Sequence, residues 1–268
     1  MRNILYIIII IIVVLVGISL FSNRNTDAPL TGDQTNINML ATSSTVEIAS
    51  REASYYGTST RGWYAEPREE GNYPGVIVIH EWWGLNDQIK QTAEELAKNG
   101  YKVLAVDLYN GKIAATSSEA MAYSRGINQT DALNNMKAAA QYLQNQGITK
   151  IASLGWCFGG GQSLQLSLSD LKLDATALYY GQLVTEKDRL ASVDAPVLGI
   201  FGDKDTSIPV ARVQEFKQQL DELGITNEVY IYPGVGHAFA NPSGMNYAPE
   251  ETKDAWAKTL TFLNTHLK

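Results

Sequence analysis

The chain has 268 residues, 45% of them hydrophobic, and 28 acidic against 21 basic side chains give it a formal net charge of −7. That length suffices for one large core or two small ones, with one domain favoured, and an acidic chain without a Lys/Arg run argues against a nucleic-acid surface. The single cysteine cannot close an intrachain disulfide, and three scattered histidines offer no HExxH or Cys/His cluster, so neither a metal nor a cofactor is expected.

In chain order, Met1-Arg-Asn leads into Ile4–Leu20, an uncharged apolar run. As a helix it would span roughly 26 Å, the short end for a bilayer. It is longer than the core of most cleaved signal peptides, and the residues after it offer no A-x-A cleavage site. Residues 1–21 therefore read as an uncleaved signal anchor, with a cleaved signal peptide and a buried core helix as the alternatives. Arg2 and the free amine on one flank, with Arg24, Asp27 and Asp33 on the other, give a weak positive-inside bias that places the amino terminus in the cytoplasm. The body would then face outward on a membrane anchor, or be secreted if the leader is cut. Residues 22–45, rich in Ser, Thr, Asn and Asp, read as a flexible linker, because they have little apolar surface to offset the entropy of ordering.

Residues 46–268 read as one domain. Val46–Ala53 and Gly62–Ala65 have the pattern of edge strands, and residues 66–72 form a solvated loop. Beyond them short apolar strands alternate with amphipathic helices. Strands are expected at Val76–His80, Val103–Asp107, Ile151–Leu154, Ala175–Tyr180, Val197–Gly202 and Asn227–Tyr232. Helices are expected at Asp87–Asn99, closed by Gly100, and at Thr130–Gln146, Gly160–Ser169, Pro209–Leu223 and Pro249–His266. This alternation is the signature of an α/β fold, a mostly parallel sheet with helices on both faces, whose ligands bind at the carboxyl ends of the strands.

Three chemically capable residues fall at such ends. Cys157 stands in Gly155-Trp-Cys-Phe-Gly159, the pattern of a nucleophile elbow, a strained turn from strand to helix that pushes one side chain out over the sheet. Glycines on either side let strand and helix pass closely, and Cys157 itself is expected in a sparsely populated backbone conformation. Asp205 follows a second strand and His237 a third. The chain order nucleophile, acid, histidine is that of α/β-hydrolases and of neither trypsin-like nor subtilisin-like proteases. Asp203 could replace Asp205, but the Asp-x-x-Ile-Pro spacing favours Asp205, at the crest of the loop before the next helix.

The motifs Val78-Ile-His-Glu-Trp-Trp-Gly-Leu-Asn-Asp87, Gly100-Tyr101 with Val106-Asp-Leu-Tyr109, Gly155 to Gly160, Gly202 to Pro209, and Gly236-His-Ala-Phe239 occur in this order. With them the chain resembles the dienelactone hydrolase family from about residue 46 to its end. The resemblance implies an α/β-hydrolase fold and hydrolysis of a small-molecule ester or lactone by a cysteine nucleophile. A free thiol, with a pKa near 8.5, is largely protonated at neutral pH, so Cys157 needs His237 to draw its proton, with Asp205 fixing the imidazole tautomer. The oxyanion hole would use the N–H of Phe158, the residue after the nucleophile, and that of Trp82.

By the same resemblance Glu81 would contact the thiol in the resting enzyme; the alternative for it is a salt bridge to a surface Lys or Arg. His80 reads as structural support inside a strand. Trp83, Tyr109 and Phe239, with Trp82 and Phe158, are candidates for an apolar pocket, although aromatics here could equally be core. Family members that grip a carboxylate use arginines, one of them four residues after the histidine, where this chain has Asn241; for the other, only Arg125 is near. A bidentate carboxylate grip is therefore weakened or lost, and dienelactone is not expected as the substrate. A monomer is expected. The competing functional readings are a non-catalytic binding or sensing module that retains the fold, and a thiol redox protein, which would lack a resolving cysteine in the chain.

Overall fold

The computed structural model describes residues 46–268. The expected anchor at 1–21 and linker at 22–45 lie outside the described residues. Among those described, no helix is long and apolar enough to cross a membrane.

The core is one eight-stranded sheet in the order β1-β2-β4-β3-β5-β6-β7-β8. At its edge β1 (Ile48–Tyr56) and β2 (Thr60–Pro67) form an antiparallel hairpin. The strands β3 (Gly75–Ile79), β4 (Lys102–Val106), β5 (Ile151–Trp156), β6 (Ala175–Tyr179), β7 (Val197–Gly202) and β8 (Asn227–Tyr232) run parallel to one another. Strands β3 to β7 are apolar almost throughout because both faces are covered, as parallel sheets require. Alternation along each strand distributes the side chains between the faces. Val76 and Val78 pack with Leu96 of α1 (Asp87–Lys98) and with Phe262 of the carboxyl-terminal helix Pro249–Leu267. Ile77 and Ile79 pack on the other face with Met136 and Leu143 of a helix at Gln129–Asn145.

Helix ends follow their local chemistry. In α1 the Asn86 side chain caps the N–H of Ile89, and Gly100 follows the last turn at φ +83°, a conformation that costs a glycine little. The strand that leads into Cys157 continues to Trp156, and the next helix begins at Phe158 rather than Gly160, so only Cys157 separates them.

Two helices escape the sequence pattern. The first, α2 (Ser117–Arg125), has one buried residue, Ala120, and so little amphipathic signal. Its signature lies in Thr116-Ser-Ser-Glu119: the Thr116 hydroxyl accepts the Glu119 N–H, and the Glu119 carboxylate reaches back to the N–H of Ala115. The helix at Gln129–Asn145 is then α3, and that at Phe158–Ser167 is α4. The second unforeseen helix is the short α5 (Lys187–Leu190), followed by α6 (Val210–Glu222) and α7, the carboxyl-terminal helix.

Glycine-159 fixes how close α4 comes to the sheet. A Cβ there would lie 2.3 Å from the carbonyl oxygen of Ile79, and one on Gly155 would lie 2.2 Å from that of Gly159. Both neighbours are backbone and cannot give way. At Gly161, two positions on, the nearest atom to a Cβ is 3.4 Å away, an ordinary contact. Gly159→Ala is therefore expected to destabilise the fold by about 3 kcal/mol or more in urea denaturation. Gly161→Ala is expected to be neutral or to stabilise by about 0.5–1 kcal/mol, through the better helix propensity of alanine.

Candidate active site

The carboxyl ends of β5, β7 and β8 bring three side chains together. At the turn after β5, Cys157 takes φ +52° and ψ −116°, the sparsely populated geometry expected of an elbow. Its N–H donates to the Tyr179 carbonyl at 3.0 Å, and its carbonyl accepts the Gly161 N–H at 3.1 Å, which pins the turn from both sides. The thiol projects to His237, whose Nε2 lies 3.1 Å from Sγ. His237 Nδ1 in turn lies 2.8 Å from Asp205 Oδ2.

The loop after β7 holds Asp205 rigidly, because its other oxygen accepts the N–H groups of Ser207 at 2.8 Å and Ile208 at 3.0 Å. Asp203, the alternative, faces elsewhere and accepts the N–H of Gly234 at 2.7 Å. The electrostatics follow from these bonds. Burial works to raise the Asp205 carboxyl, but the bonds from His237, Ile208 and Ser207 prevail and hold it below the ordinary aspartate value. Burial likewise opposes a charge on His237, yet its bonds to Asp205 and Cys157 push it up to about 10. The proton between sulfur and imidazole thus belongs to the pair.

The segment after β3 runs alongside. His80 lies just past the strand rather than inside it, and it is fully buried. Its Nδ1 faces the Glu81 carbonyl and its Nε2 faces the N–H of Leu108 at 3.2 Å, so Nδ1 carries the proton and Nε2 accepts. Burial lowers its pKa and keeps it neutral, with both nitrogens committed to backbone.

Glu81 is 5% exposed and meets neither the thiol nor a surface cation. Its Oε2 accepts from Asn241 Nδ2, and its Oε1 lies 3.4 Å from the Tyr180 hydroxyl. Burial pushes its carboxyl up to about 7 against those bonds and the charge of His237. The resting contact between Glu81 and Cys157 implied by resemblance is therefore replaced here: His237 takes the thiol and Asn241 takes the carboxylate.

The remaining candidates divide. Trp82 and Trp83 are half-buried and pack edge to face, 5.1 Å between ring centroids, next to the Glu81 turn. Phe158 opens α4 and lies 5.6 Å from Tyr109, whose ring also packs on His80 at 4.7 Å. Tyr109 lines a cavity of about 400 Å³ with Leu108, Lys112, Tyr123 and Asp131. Phe239, a pocket candidate, is instead core: it is fully buried between Tyr180 and Tyr232, because the chain turns inward after Ala238 at φ +59°. Asn241 is 4% exposed and committed to Glu81, so it does not line a pocket. Arg125 is exposed at the end of α2; its neighbours Tyr123 and Gly126 line the Tyr109 cavity, but Arg125 itself does not.

Tyr180 is the residue that sequence reasoning passed over. It sits just past β6 at φ +37°, bonds Glu81, and packs its ring 5.2 Å from that of His237. Its place at the end of a parallel strand, where ligand groups gather, was the available signal.

This geometry can be set beside known proteins. The family model described as "Dienelactone hydrolase family" matches residues 60–267. The chain belongs to the dienelactone hydrolase family. Among its relatives, a Saccharolobus solfataricus protein provisionally named carboxymethylenebutenolidase is 29% identical over 252 residues, covering 77% of this chain and 94% of that one. Protein usf of Aquifex pyrophilus is 31% identical over 225 residues, covering 79% of this chain and 95% of its own. Of solved structures, a provisionally assigned dienelactone hydrolase from Klebsiella pneumoniae matches with a TM-score of 0.76 at 27% identity, over 81% of this chain and 99% of that one. The fold is accordingly that of the α/β-hydrolases, and the family is one of hydrolases acting on lactones and esters.

The Glu81 carboxyl gives a pH-dependent expectation. Its folded value, about 7, lies above the ordinary 4.5. The stability it contributes is thus fully present below 4.5 and lost as pH rises through 7. Asp205, shifted the other way, loses its contribution as pH falls. Between about pH 4 and about pH 8, the Glu81→Gln variant should gain on the order of 3 kcal/mol over the parent in urea denaturation. A constant difference across that range would contradict the burial of an ionisable carboxyl there.

Proposed function

We propose that the chain hydrolyses a small-molecule carboxylic ester or lactone, with Cys157 as nucleophile, His237 as general base and acid, and Asp205 as the group that orients the imidazole. The observation that carries this reading is the unbroken contact series from Sγ to Nε2 at 3.1 Å and from Nδ1 to Oδ2 at 2.8 Å.

In the first half-reaction the Cys157 thiol gives its proton to His237 Nε2 and the resulting thiolate attacks the carbonyl carbon. The carbonyl electrons move to oxygen, and this oxyanion is received by the N–H groups of Phe158 and Trp82. Phe158 suits the part because the first N–H groups of a helix have no partner within it, and the helix N-terminus favours negative charge. Collapse of the intermediate breaks the carbon–oxygen bond, the leaving oxygen takes the proton from Nε2, and a thioester remains on Cys157. Water, deprotonated by His237, then releases the acid and restores the thiol; from a lactone the product is one hydroxy acid. Asp205 is suited to hold the Nδ1 proton because its carboxyl stays ionised.

The half-buried indoles of Trp82 and Trp83 and the Phe158 ring supply an apolar surface beside the nucleophile. Among the described residues, Asn241, at the place of one expected arginine, is turned to Glu81, and Arg125, near the other, is exposed. Neutral esters or lactones are therefore the favoured substrate class. We further propose that the domain acts outside the cytoplasm on an anchor at residues 1–21, a reading supported by the uncharged run Ile4–Leu20.

Residues 46–268, purified, are expected to hydrolyse p-nitrophenyl acetate, and Cys157→Ala should lose the enzyme-dependent rate. Undiminished turnover in that variant would remove the nucleophile from this scheme. Asp205→Asn should lower kcat/KM by about 10³-fold or more, because it favours the wrong imidazole tautomer.

A further inference from the structure

Asn241 commits both ends of its side chain to the protein. Its Oδ1 accepts from the Ser243 N–H at 2.9 Å and from the Ser243 hydroxyl at 2.8 Å. Those two donors fix the orientation of the amide and leave Nδ2 facing Glu81 Oε2. From the opposite side Tyr180, held at φ +37°, brings its hydroxyl to Glu81 Oε1. Each carboxyl oxygen of Glu81 is thus taken by a different element, one at the end of β6 and one on the loop after β8.

We propose that Asn241 is a positioning residue: with the Tyr180 hydroxyl it clamps the Glu81 carboxyl away from Cys157, so that the thiol is paired with His237 before any substrate arrives. This rests on the reading of Cys157 as the nucleophile, and it names what keeps that nucleophile ready.

The physical need is plain. Glu81 is buried beside a sulfur–imidazole pair, where a carboxyl needs hydrogen-bond partners from the protein. The titratable groups that bear on it are His237, from the loop after β8, and Tyr180, from the end of β6. Tyr180 in turn feels the charges of both Glu81 and Cys157. A carboxylate released from the amide would be left with the Tyr180 hydroxyl and the Cys157–His237 pair as its buried neighbours. Above about pH 7, where it ionises, its charge there would oppose formation of the thiolate. The amide of Asn241 is neutral and cannot itself take or give a proton at that pair, so its influence on sulfur must pass through Glu81.

The test is alkylation of Cys157 by iodoacetamide, followed by intact-mass spectrometry from about pH 5 to about pH 9 in the absence of substrate. Iodoacetamide is neutral and reads the thiolate whether or not esters are turned over. The ester assay on Cys157→Ala decides the catalytic reading separately, so the two failures look different. Asn241→Ala is expected to move the midpoint of the rate–pH profile up by about one unit, and so to slow alkylation by up to roughly tenfold above about pH 7, where Glu81 is ionised. Adding Glu81→Gln to that variant should restore the parental rate, because a neutral amide at 81 no longer opposes the thiolate. Tyr180→Phe keeps the ring and removes the other bond, and it should slow alkylation by a smaller factor, again relieved by Glu81→Gln; it carries the test if Asn241→Ala does not fold. Parental alkylation in Asn241→Ala, or in Tyr180→Phe where that variant stands in, would overturn the proposal. So would slowing that persists with glutamine at 81.

Discussion

The structure turns on the backbone at Cys157. A non-glycine residue at φ +52°, ψ −116° carries strain of roughly 1–3 kcal/mol and persists only where its surroundings over-determine it. Here they do. The Tyr179 carbonyl holds the turn from below and the first bond of α4 holds it from above, while Gly159 lies so close to the carbonyl of Ile79 that the helix cannot move independently of β3. The turn that projects the sulfur and the segment that carries His80, Glu81 and Trp82 are therefore one mechanical unit. The proposed nucleophile and the proposed oxyanion loop owe their relative placement to a glycine that touches neither chemistry nor substrate.

Two carboxylates border this unit, and they are shifted in opposite directions for a reason visible in their donors. Asp205 receives two backbone N–H bonds and an imidazole, so its charged form is stabilised although it is buried. Glu81 receives one amide N–H and a hydroxyl at 3.4 Å, too little to offset its burial, and its carboxyl rises to about 7. His80 shows the third solution: both ring nitrogens are consumed by backbone, which keeps it neutral and removes it from proton transfer. A histidine, two carboxylates and a thiol within a few residues of the sheet edge would be ambiguous as a composition. Their hydrogen bonds give each a different standing.

Membership of the dienelactone hydrolase family sets the fold and the broad chemistry, and this chain's departures then bear on what it can accept. The place four residues after His237 holds an amide that faces inward to Glu81 instead of a cation that faces a ligand. Arg125 ends a surface helix. An aromatic surface such as that of Trp82, Trp83 and Phe158 suits a neutral acyl group better than a carboxylate, which would have to leave water to reach it.

Much of this was legible in the chain. Apolar runs separated by amphipathic stretches marked every parallel strand, and β7 and β8 fall at the bounds read from the pattern. Gly-x-Cys-x-Gly announced the turn, since close passage of strand and helix leaves room for no Cβ. The helix α2 was hidden because it buries one residue, and periodicity reports burial. Phe239 and Asn241 were assigned to a pocket and proved to be buried, because the positive φ at Ala238 redirects the chain after His237 and no local pattern encodes that. The sequence by itself determined the order of elements and the residues able to do chemistry, because burial period and turn sterics are local properties. Which amide, 160 residues along, meets Glu81 was decided only by the tertiary structure, because side-chain direction at a strand end is set by what packs against it.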